Sequence, residues 1–246
     1  MQVLTFDFHN TLAHCDPWFE LEVRSLPRSV IERLAIRHTL DPDAIDETYR
    51  DLRKRVVATG LEVDANDGVV EVLDRLGLGA SRPEIARTVD ALMAEALEAM
   101  VPVAGAAGTV RHLHAEGVPL GIVSSAVHHD SLDWTLDRLG LASCFQAVVT
   151  SARSGYYKST PAIYDYALAT LGGTAGLSVH VGDSLRWDVA IAQQAGIKAV
   201  WLQTPGKEVF STGPVDASPD LTLLTLDGAG PLLGDLLASL RVGASA

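Results

Sequence analysis

The chain has 246 residues, 48% of them hydrophobic and 20% charged, a composition typical of a globular protein with a substantial core. Its formal net charge of −12 argues against nucleic acid or an anionic membrane as a partner, because either would need a basic surface. Cys15 and Cys144 lie far apart in the sequence and predict neither a disulfide framework nor a zinc site. With no leader-like start and no apolar run of membrane-spanning length, the sequence predicts a cytoplasmic protein.

The first part of the chain predicts one strand followed by a long helical block. Residues 3–8 form an apolar run typical of a buried strand. From residue 17 to residue 100 the pattern is helical, and Asp41 and Ser81 each precede a helix start that contains proline. A shorter helix is predicted between these two, at residues 66–76.

Beyond residue 100, helices and strands alternate. Helices are predicted at residues 105–116, 130–139, 161–171, 185–195 and 232–240, and strands at 118–123, 147–150, 178–182, 198–202 and 221–226, with a Pro/Gly-rich loop after residue 202. This alternation predicts an α/β fold with a doubly wound, Rossmann-like parallel sheet. The first strand belongs to the same sheet, so we predict a core domain of residues 1–14 and 101–246 and an inserted all-helical domain of residues 15–100.

Polar residues follow several of the predicted strands. Asp7, Ser124 and Asp183 come directly after apolar runs, and Lys158 precedes a predicted helix. Taken singly, each has an ordinary structural explanation as a helix cap or a solvated charge. Ligands of a doubly wound sheet bind outside the carboxyl ends of its strands, however, so these positions are the candidates for chemistry.

Four short motifs resemble those of the haloacid dehalogenase-like hydrolase superfamily. They are DFHNT at residues 7–11, Ser124 in GIVSSA, Lys158 in GYYKSTPAIY and GDSLRWD at residues 182–188. The resemblance covers nearly the whole chain, and the helical insertion is similar to the helical cap of that family's phosphatase-type members. It therefore implies a phosphatase that acts on a small phosphorylated metabolite and uses Mg²⁺.

The resemblance also implies roles for the motif residues. Asp7 would be the nucleophile that forms an aspartyl phosphate, and Asp183, Asp7 and the backbone carbonyl of His9 would hold the Mg²⁺ ion. Asp188 would contribute to the metal site indirectly, from behind the ion's ligands or through a bound water. Ser124 and Ser125 would bind phosphate at a helix start, and Lys158 would place a positive charge against the same group.

His9 departs from the family's pattern. Phosphatases of this family carry a second aspartate at this position, where it acts as the general acid and base. Histidine, whose ordinary pKa is near 6.5, can take that part around neutral pH, and we interpret His9 in this way. Two alternatives stay open: another reaction of the superfamily, such as phosphonate cleavage or phosphoryl transfer, and a non-catalytic relative that binds a phosphorylated ligand or a partner chain.

The four motifs assign no role to two further groups of residues. Arg50, Arg53 and Lys54 lie opposite an apolar helix stripe. They form either a solvated face or a face that binds an acidic group at the far end of the substrate. His128 and His129 follow Ser124 and are predicted to lie at the surface, although His128 is close enough in sequence to reach the cleft.

Overall fold

The computed structural model of the protein describes residues 1–203 and 215–243. Most of the predicted Pro/Gly-rich loop after residue 202 lies outside these ranges. The strands are β1 (Val3–Phe6), β2 (Ala13–His14), β3 (Val101–Pro102), β4 (Leu120–Ser124), β5 (Ala147–Thr150), β6 (Ser178–Gly182), β7 (Lys198–Leu202) and β8 (Leu221–Leu223).

Six of these strands form one parallel sheet in the order β5-β4-β1-β6-β7-β8. This arrangement confirms the predicted doubly wound fold. All of β1 is buried, as expected for a central strand that helices cover on both faces. Phe6 is in register with Ile122 of β4 and Val181 of β6, so the residues that follow these three strands emerge at one edge of the sheet.

Helices cover the sheet and build the insertion. They are α1 (Asp16–Glu20), α2 (Leu26–Arg33), α3 (Pro42–Thr59), α4 (Ala65–Arg75), α5 (Arg82–Ala96), α6 (Ala106–Ala115), α7 (Asp130–Leu139), α8 (Ser151–Ser154), α9 (Ala162–Leu171), α10 (Ile191–Gln194) and α11 (Gly230–Gly243). None of the helices in these described ranges combines the length and apolarity that a bilayer crossing needs.

The helix starts predicted in the insertion are present. The Asp41 carboxylate accepts the backbone N–H of Asp43 at 3.0 Å at the start of α3. At α5, Ser81 and Glu84 form a reciprocal capping box, which satisfies backbone N–H groups that have no partner within the helix.

The helix predicted at residues 185–195 begins differently. Its first turn, Leu185–Ala190, is a wide π-helical turn, and α10 follows it. The backbone N–H of Val189 reaches the Ser184 carbonyl at 3.1 Å, five residues back. Turns of this kind are frequent at functional sites, and this one carries Asp188.

The insertion leaves and re-enters the core at one place. Helices α1–α5 all lie between β2 and β3, and these two short strands pair antiparallel through Ala13 with Pro102 and His14 with Val101. The sequence did not predict this pair. Apolar core residues of the sheet and of the insertion form one continuous cluster, so the domain bounds at residues 14/15 and 100/101 stay a prediction.

Candidate active site

A cavity of about 720 Å³ lies between the carboxyl edge of the sheet and the inserted helices. Every residue that the sequence singled out for the site lines it. These residues are Asp7, His9, Arg50, Arg53, Lys54, Ser124, Ser125, Lys158, Asp183 and Asp188. They come from the ends of β1, β4 and β6, from the loop between α8 and α9, and from the inserted helix α3. Folding therefore brings together groups that are up to about 180 positions apart in the chain.

Lys158 is the centre of the charged cluster. It is only 2% exposed, and its Nζ lies 2.5 Å from Oδ1 of Asp7 and 2.6 Å from Oδ1 of Asp188. Burial disfavours the lysine's charge, but the two carboxylates outweigh it and raise the pKa of Lys158 above its ordinary value. A fixed positive charge therefore stands beside the candidate nucleophile at any physiological pH.

Three carboxylates meet at this point. Asp7, Asp183 and Asp188 each offer an oxygen, and these oxygens lie within 4.8 Å of one another. Burial and the negative charges of Asp7 and Asp188 raise the pKa of Asp183 well above its ordinary value. Burial raises the pKa of Asp7 to about 6, against the opposing effect of Lys158. Lys158 alone does not balance the mutual repulsion of the three carboxylates, and a bound cation would reduce it.

Asp188 is held by several donors. Burial favours its neutral form, but Lys158 and His180 hold the pKa of its carboxyl well below the ordinary value. The backbone N–H of Ser184 donates to its second oxygen at 2.9 Å. Gly182 makes room for this arrangement, because a Cβ there would overlap the Asp188 carboxylate. The glycine of the GDSLRWD motif is therefore sterically required.

The turn after β1 orients Asp7. The Thr11 hydroxyl donates to Oδ2 of Asp7 at 3.3 Å. Asn10 adopts a left-handed conformation with φ of 64°, which asparagine tolerates better than most residues. Its side-chain carbonyl lies 2.7 Å from Nδ1 of His14, and Asn10 also hydrogen-bonds Asp183. The turn thus links the candidate nucleophile to a second acid of the cluster.

His9 lies in an aromatic surrounding at the cavity wall. Its ring stacks on Phe19 with centroids 4.8 Å apart and an interplanar angle of 4°, and Trp18 lies 5.6 Å away. The backbone N–H of Cys15 donates to Nε2 of His9 at 3.3 Å. A nitrogen that accepts a hydrogen bond carries no proton, so neutral His9 holds its proton on Nδ1.

The basic residues of α3 face the cavity. The Arg53 guanidinium makes two hydrogen bonds to the Glu62 carboxylate, at 2.6 and 3.3 Å, and lies 5.6 Å from the centre of the Tyr157 ring. Lys54 pairs with Asp51 at 3.0 Å at the surface. Within the described ranges, no residue forms an ion pair or hydrogen bond with the Arg50 side chain.

Other cavity residues were not predicted from the sequence. They are mostly apolar or aromatic and include Trp18, Phe19, Val57, Tyr157, Trp187 and Trp201. Glu22 also lines the cavity, and its carboxylate accepts the backbone N–H of Val127. Burial raises the pKa of Glu22 to about 8. No signal in the sequence distinguishes this residue from its charged neighbours Glu20 and Arg24.

The prediction for the two histidines after Ser124 was wrong. His128 is 6% exposed and lies between Ser131 Oγ, at 2.8 Å from its Nδ1, and Asp90 Oδ1, at 2.9 Å from its Nε2. His129 is half-buried beside Thr150. Neither lines the cavity, because both rings turn toward neighbouring helices and strands, where polar groups satisfy their nitrogens.

Comparison with known proteins gives a family. Residues 1–196 match the model of haloacid dehalogenase-like hydrolases. Ribulose-1,5-bisphosphate 5-phosphatase of Halopiger xanaduensis is 33% identical over 142 residues, which span 57% of this chain and 59% of that protein. Glyceraldehyde 3-phosphate phosphatase of Methanopyrus kandleri is 28% identical over 224 residues, which span 91% of this chain and 93% of that protein.

Solved structures show the same fold. A HAD phosphatase from Thermococcus onnurineus matches with a TM-score of 0.62 and 22% identity, over 95% of this chain and 98% of that one. A 2-haloacid dehalogenase from Pseudomonas syringae matches with a TM-score of 0.66 and 22% identity, over 96% and 99%. At this identity the likeness concerns the fold alone.

Proposed function

Because the chain belongs to the haloacid dehalogenase-like hydrolase family, we propose that it is a Mg²⁺-dependent phosphatase of small phosphate monoesters. The observation that carries the proposal is the buried cluster in which Lys158 contacts Asp7 and Asp188. A nucleophilic carboxylate, further acids and a fixed lysine are the groups that phosphoryl transfer needs. The names of two relatives, both sugar-phosphate phosphatases, support the same reaction.

The acid cluster fits Mg²⁺. Mg²⁺ prefers oxygen ligands, and carboxylates supply them here. Asp7, Asp183 and the backbone carbonyl of His9 would hold the ion, with Asp188 contributing at the edge of the site. When bound, the ion supplies positive charge that offsets both the nucleophile and the phosphate. The raised pKa of Asp183, caused by burial and by its neighbours' charges, supports a cation at this place.

The remaining polar groups act on the phosphate. Asp7 attacks phosphorus and becomes an aspartyl phosphate, while the bond to the ester oxygen breaks. Lys158 keeps its charge next to Asp7 and stabilises the transferred group. Ser124 and Ser125, at the end of β4, donate hydrogen bonds to the phosphate oxygens. Water then hydrolyses the aspartyl phosphate and regenerates the Asp7 carboxylate.

His9 serves as the general acid and base. The imidazolium form of His9 protonates the leaving oxygen of the ester, and the neutral ring that results later accepts a proton from the attacking water. The stack on Phe19 holds the imidazole ring in one orientation. Arg50, Arg53 and Lys54 line the cavity, and Arg50 and Lys54 contact the leaving group. The cytoplasmic location stays a prediction.

A phosphate-release screen tests the proposal. Purified protein is offered sugar, nucleotide and aryl phosphates with MgCl₂ or with EDTA. We expect release that requires Mg²⁺ and that Asp7→Asn lowers by at least about 10³-fold. Asp227→Asn, at an exposed acid outside the cavity, is the matched control and should retain activity. Absence of release from every ester would instead support a non-catalytic binding protein.

A further inference from the structure

The walls of the cavity are largely aromatic and apolar. Three of the four tryptophans of the chain line the cavity, together with Phe19, Tyr157 and Val57. Cavities of this size hold ligands much larger than a triose phosphate, and apolar walls select apolar ligand surface. A sugar fragment of three carbons would leave most of these walls uncovered. The cavity therefore fits an ester whose leaving group is flat and largely apolar.

Helix α3 presents its basic face to this cavity. Residues 50, 53 and 54 share one face of a helix, because neighbours at spacings of three and four lie together. Arg53 fixes the direction of that face through its bonds to Glu62. Glu62 accepts the Ser151 hydroxyl at 2.6 Å, and its backbone N–H donates to the Gly155 carbonyl at 2.9 Å. The helix is thus joined to the core segment that leads into Lys158.

Two cations of this face are available to a ligand. Arg50 has no ion-pair or hydrogen-bond partner within the described ranges, and Lys54 has only the surface pair with Asp51, in which both side chains are more than half exposed. Exposed ion pairs of this kind contribute little free energy, so a ligand can replace Asp51 as the partner of Lys54. The pKa of Glu22, raised to about 8 by burial, means that this cavity acid is mostly neutral at pH 7. It therefore does not cancel the positive charge.

We propose that the substrate is an aryl or similarly flat phosphate monoester whose far end carries a second anionic group, bound by Arg50 and Lys54. The inference rests on the proposed phosphatase function and adds the substrate class. Asp7 and Lys158 take the phosphate, the tryptophans and Phe19 contact the flat part, and Arg50 and Lys54 contact the distal anion. Arg53 is a positioning residue, since its own charge is already balanced.

Two esters of matched reactivity test the distal anion. The 4-carboxyphenyl and 4-carbamoylphenyl phosphates have leaving groups of similar acidity and shape, but only the first carries the second charge. We expect kcat/KM to be about tenfold higher for the carboxylate than for the amide, an effect of the size that a charged hydrogen bond produces. The difference should lie mainly in KM. Both esters should have a higher kcat/KM than glyceraldehyde 3-phosphate.

Variants assign the preference to the helix face. Arg50→Ala should bring the carboxylate-to-amide ratio close to one, Arg50→Glu should invert it, and Lys54→Ala should lower it. Arg55→Ala is the matched control: Arg55 belongs to the same helix but pairs with Glu71 at 2.6 Å and does not line the cavity. Its ratio should equal that of the unchanged protein. Melting curves establish that each variant is folded.

The outcomes separate this inference from the proposed function. A ratio of one in the unchanged protein, or a higher kcat/KM for glyceraldehyde 3-phosphate than for both esters, would overturn the substrate class while leaving the phosphatase intact. Equal ratios in Arg50→Ala and Arg55→Ala would overturn the assignment to Arg50. Lack of release from any ester would overturn the proposed function itself.

Discussion

The acid–base role proposed for His9 predicts which esters depend on this residue. An alkoxide leaving group needs a proton as the P–O bond breaks, whereas p-nitrophenolate leaves without one. His9→Ala should therefore lower kcat on an alkyl phosphate by about 10²–10⁴-fold and lower it much less on p-nitrophenyl phosphate. Steady-state rates on both esters make the comparison. Equal losses on the two would exclude protonation of the leaving group by His9.

Substituting His9 by aspartate provides the companion measurement. His9→Asp restores the residue that the family's phosphatases carry at this position, and a carboxyl can donate the same proton. Retained or increased turnover on the alkyl ester is expected. The Phe19 stack is lost in this variant, so thermal melting is recorded alongside to separate proton transfer from stability.

Glu22 makes stability depend on pH. Its pKa rises from an ordinary value of 4.5 to about 8, mainly through burial, and Arg53 and Glu62 are the charged groups that face it. The folded state therefore binds a proton that the unfolded state releases. The stability gained from this proton is complete below pH 4.5 and is lost as the pH rises toward 8.

Glu22→Gln keeps the shape and removes the titration. The amide oxygen can still accept the Val127 N–H. Between pH 5 and pH 8, the variant should gain about 3 kcal/mol of unfolding free energy relative to the unchanged protein. Urea unfolding at the two pH values measures this difference. Glu116→Gln, at an exposed position, is the control, and identical pH dependence in the two variants would contradict the buried titration.

At the scale of single residues, the sequence reveals some of the site and conceals the rest. Asp7, Ser124 and Asp183 could be found because each follows an apolar strand, and parallel strands end at a common edge. Trp18 and Glu22 could not, since they lie on an inserted helix whose orientation depends on packing across the cavity. His128 was misplaced because the groups that hydrogen-bond its ring, Ser131 and Asp90, lie on two different helices, α7 and α5.

Among the helices, α3 depends on one ion pair for its attachment to the core. The side chains of Arg53 and Glu62 are 12% and 0% exposed, and their closest atoms are 2.6 Å apart. Glu62→Gln would leave the arginine charge without a counter-charge, so the unfolding free energy should fall by about 3 kcal/mol. Chemical denaturation monitored by tryptophan fluorescence gives the value.

Another pair in the insertion is the control for burial. Arg33 and Glu95 also approach to 2.6 Å, but their side chains are 43% and 56% exposed. Solvent already compensates these charges, so Glu95→Gln should leave the unfolding free energy unchanged within error. A comparable loss in both variants would show that distance rather than burial sets the contribution.

Local signals determined which elements could be predicted. The starts of α3 and α5 followed from capping residues and proline, whose effects act within a single turn. The π-helical turn Leu185–Ala190 did not follow, because it depends on contacts of Asp188 with Lys158 and Ser184. The β2–β3 pair joins residues about ninety positions apart, and no local pattern marks such a pairing.

For the whole molecule, cation binding and folding are linked. A ligand held at 100 times its Kd by the folded state alone adds about 2.7 kcal/mol to the unfolding free energy. MgCl₂ should therefore raise the Tm of the unchanged protein and EDTA should reverse the rise. Asp183→Asn should abolish the response and, without Mg²⁺, melt at a higher temperature, because one of the three mutually repelling carboxylates is gone. Equal Tm values in MgCl₂ and EDTA for the unchanged protein would contradict a cation at this cluster.

The parallel sheet could be predicted because strand and helix patterns alternate along most of the chain. The order of its strands could not, because more than one order satisfies right-handed crossovers. How the insertion lies on the sheet could not, because that depends on side chains from both parts packing into one core. The shape of the cavity, and with it the identity of the ligand, could not be predicted for the same reason.

The β2–β3 pair brings the departure and the return of the insertion to adjacent residues. A segment that begins and ends at one point can change length without changing how the strands on either side pair. Under the proposed function, mutations between residues 15 and 100 would change which ester binds while Asp7, Lys158 and Asp183 keep their places. The β2–β3 pair thus allows related proteins to keep the same carboxylate cluster and differ in their substrates.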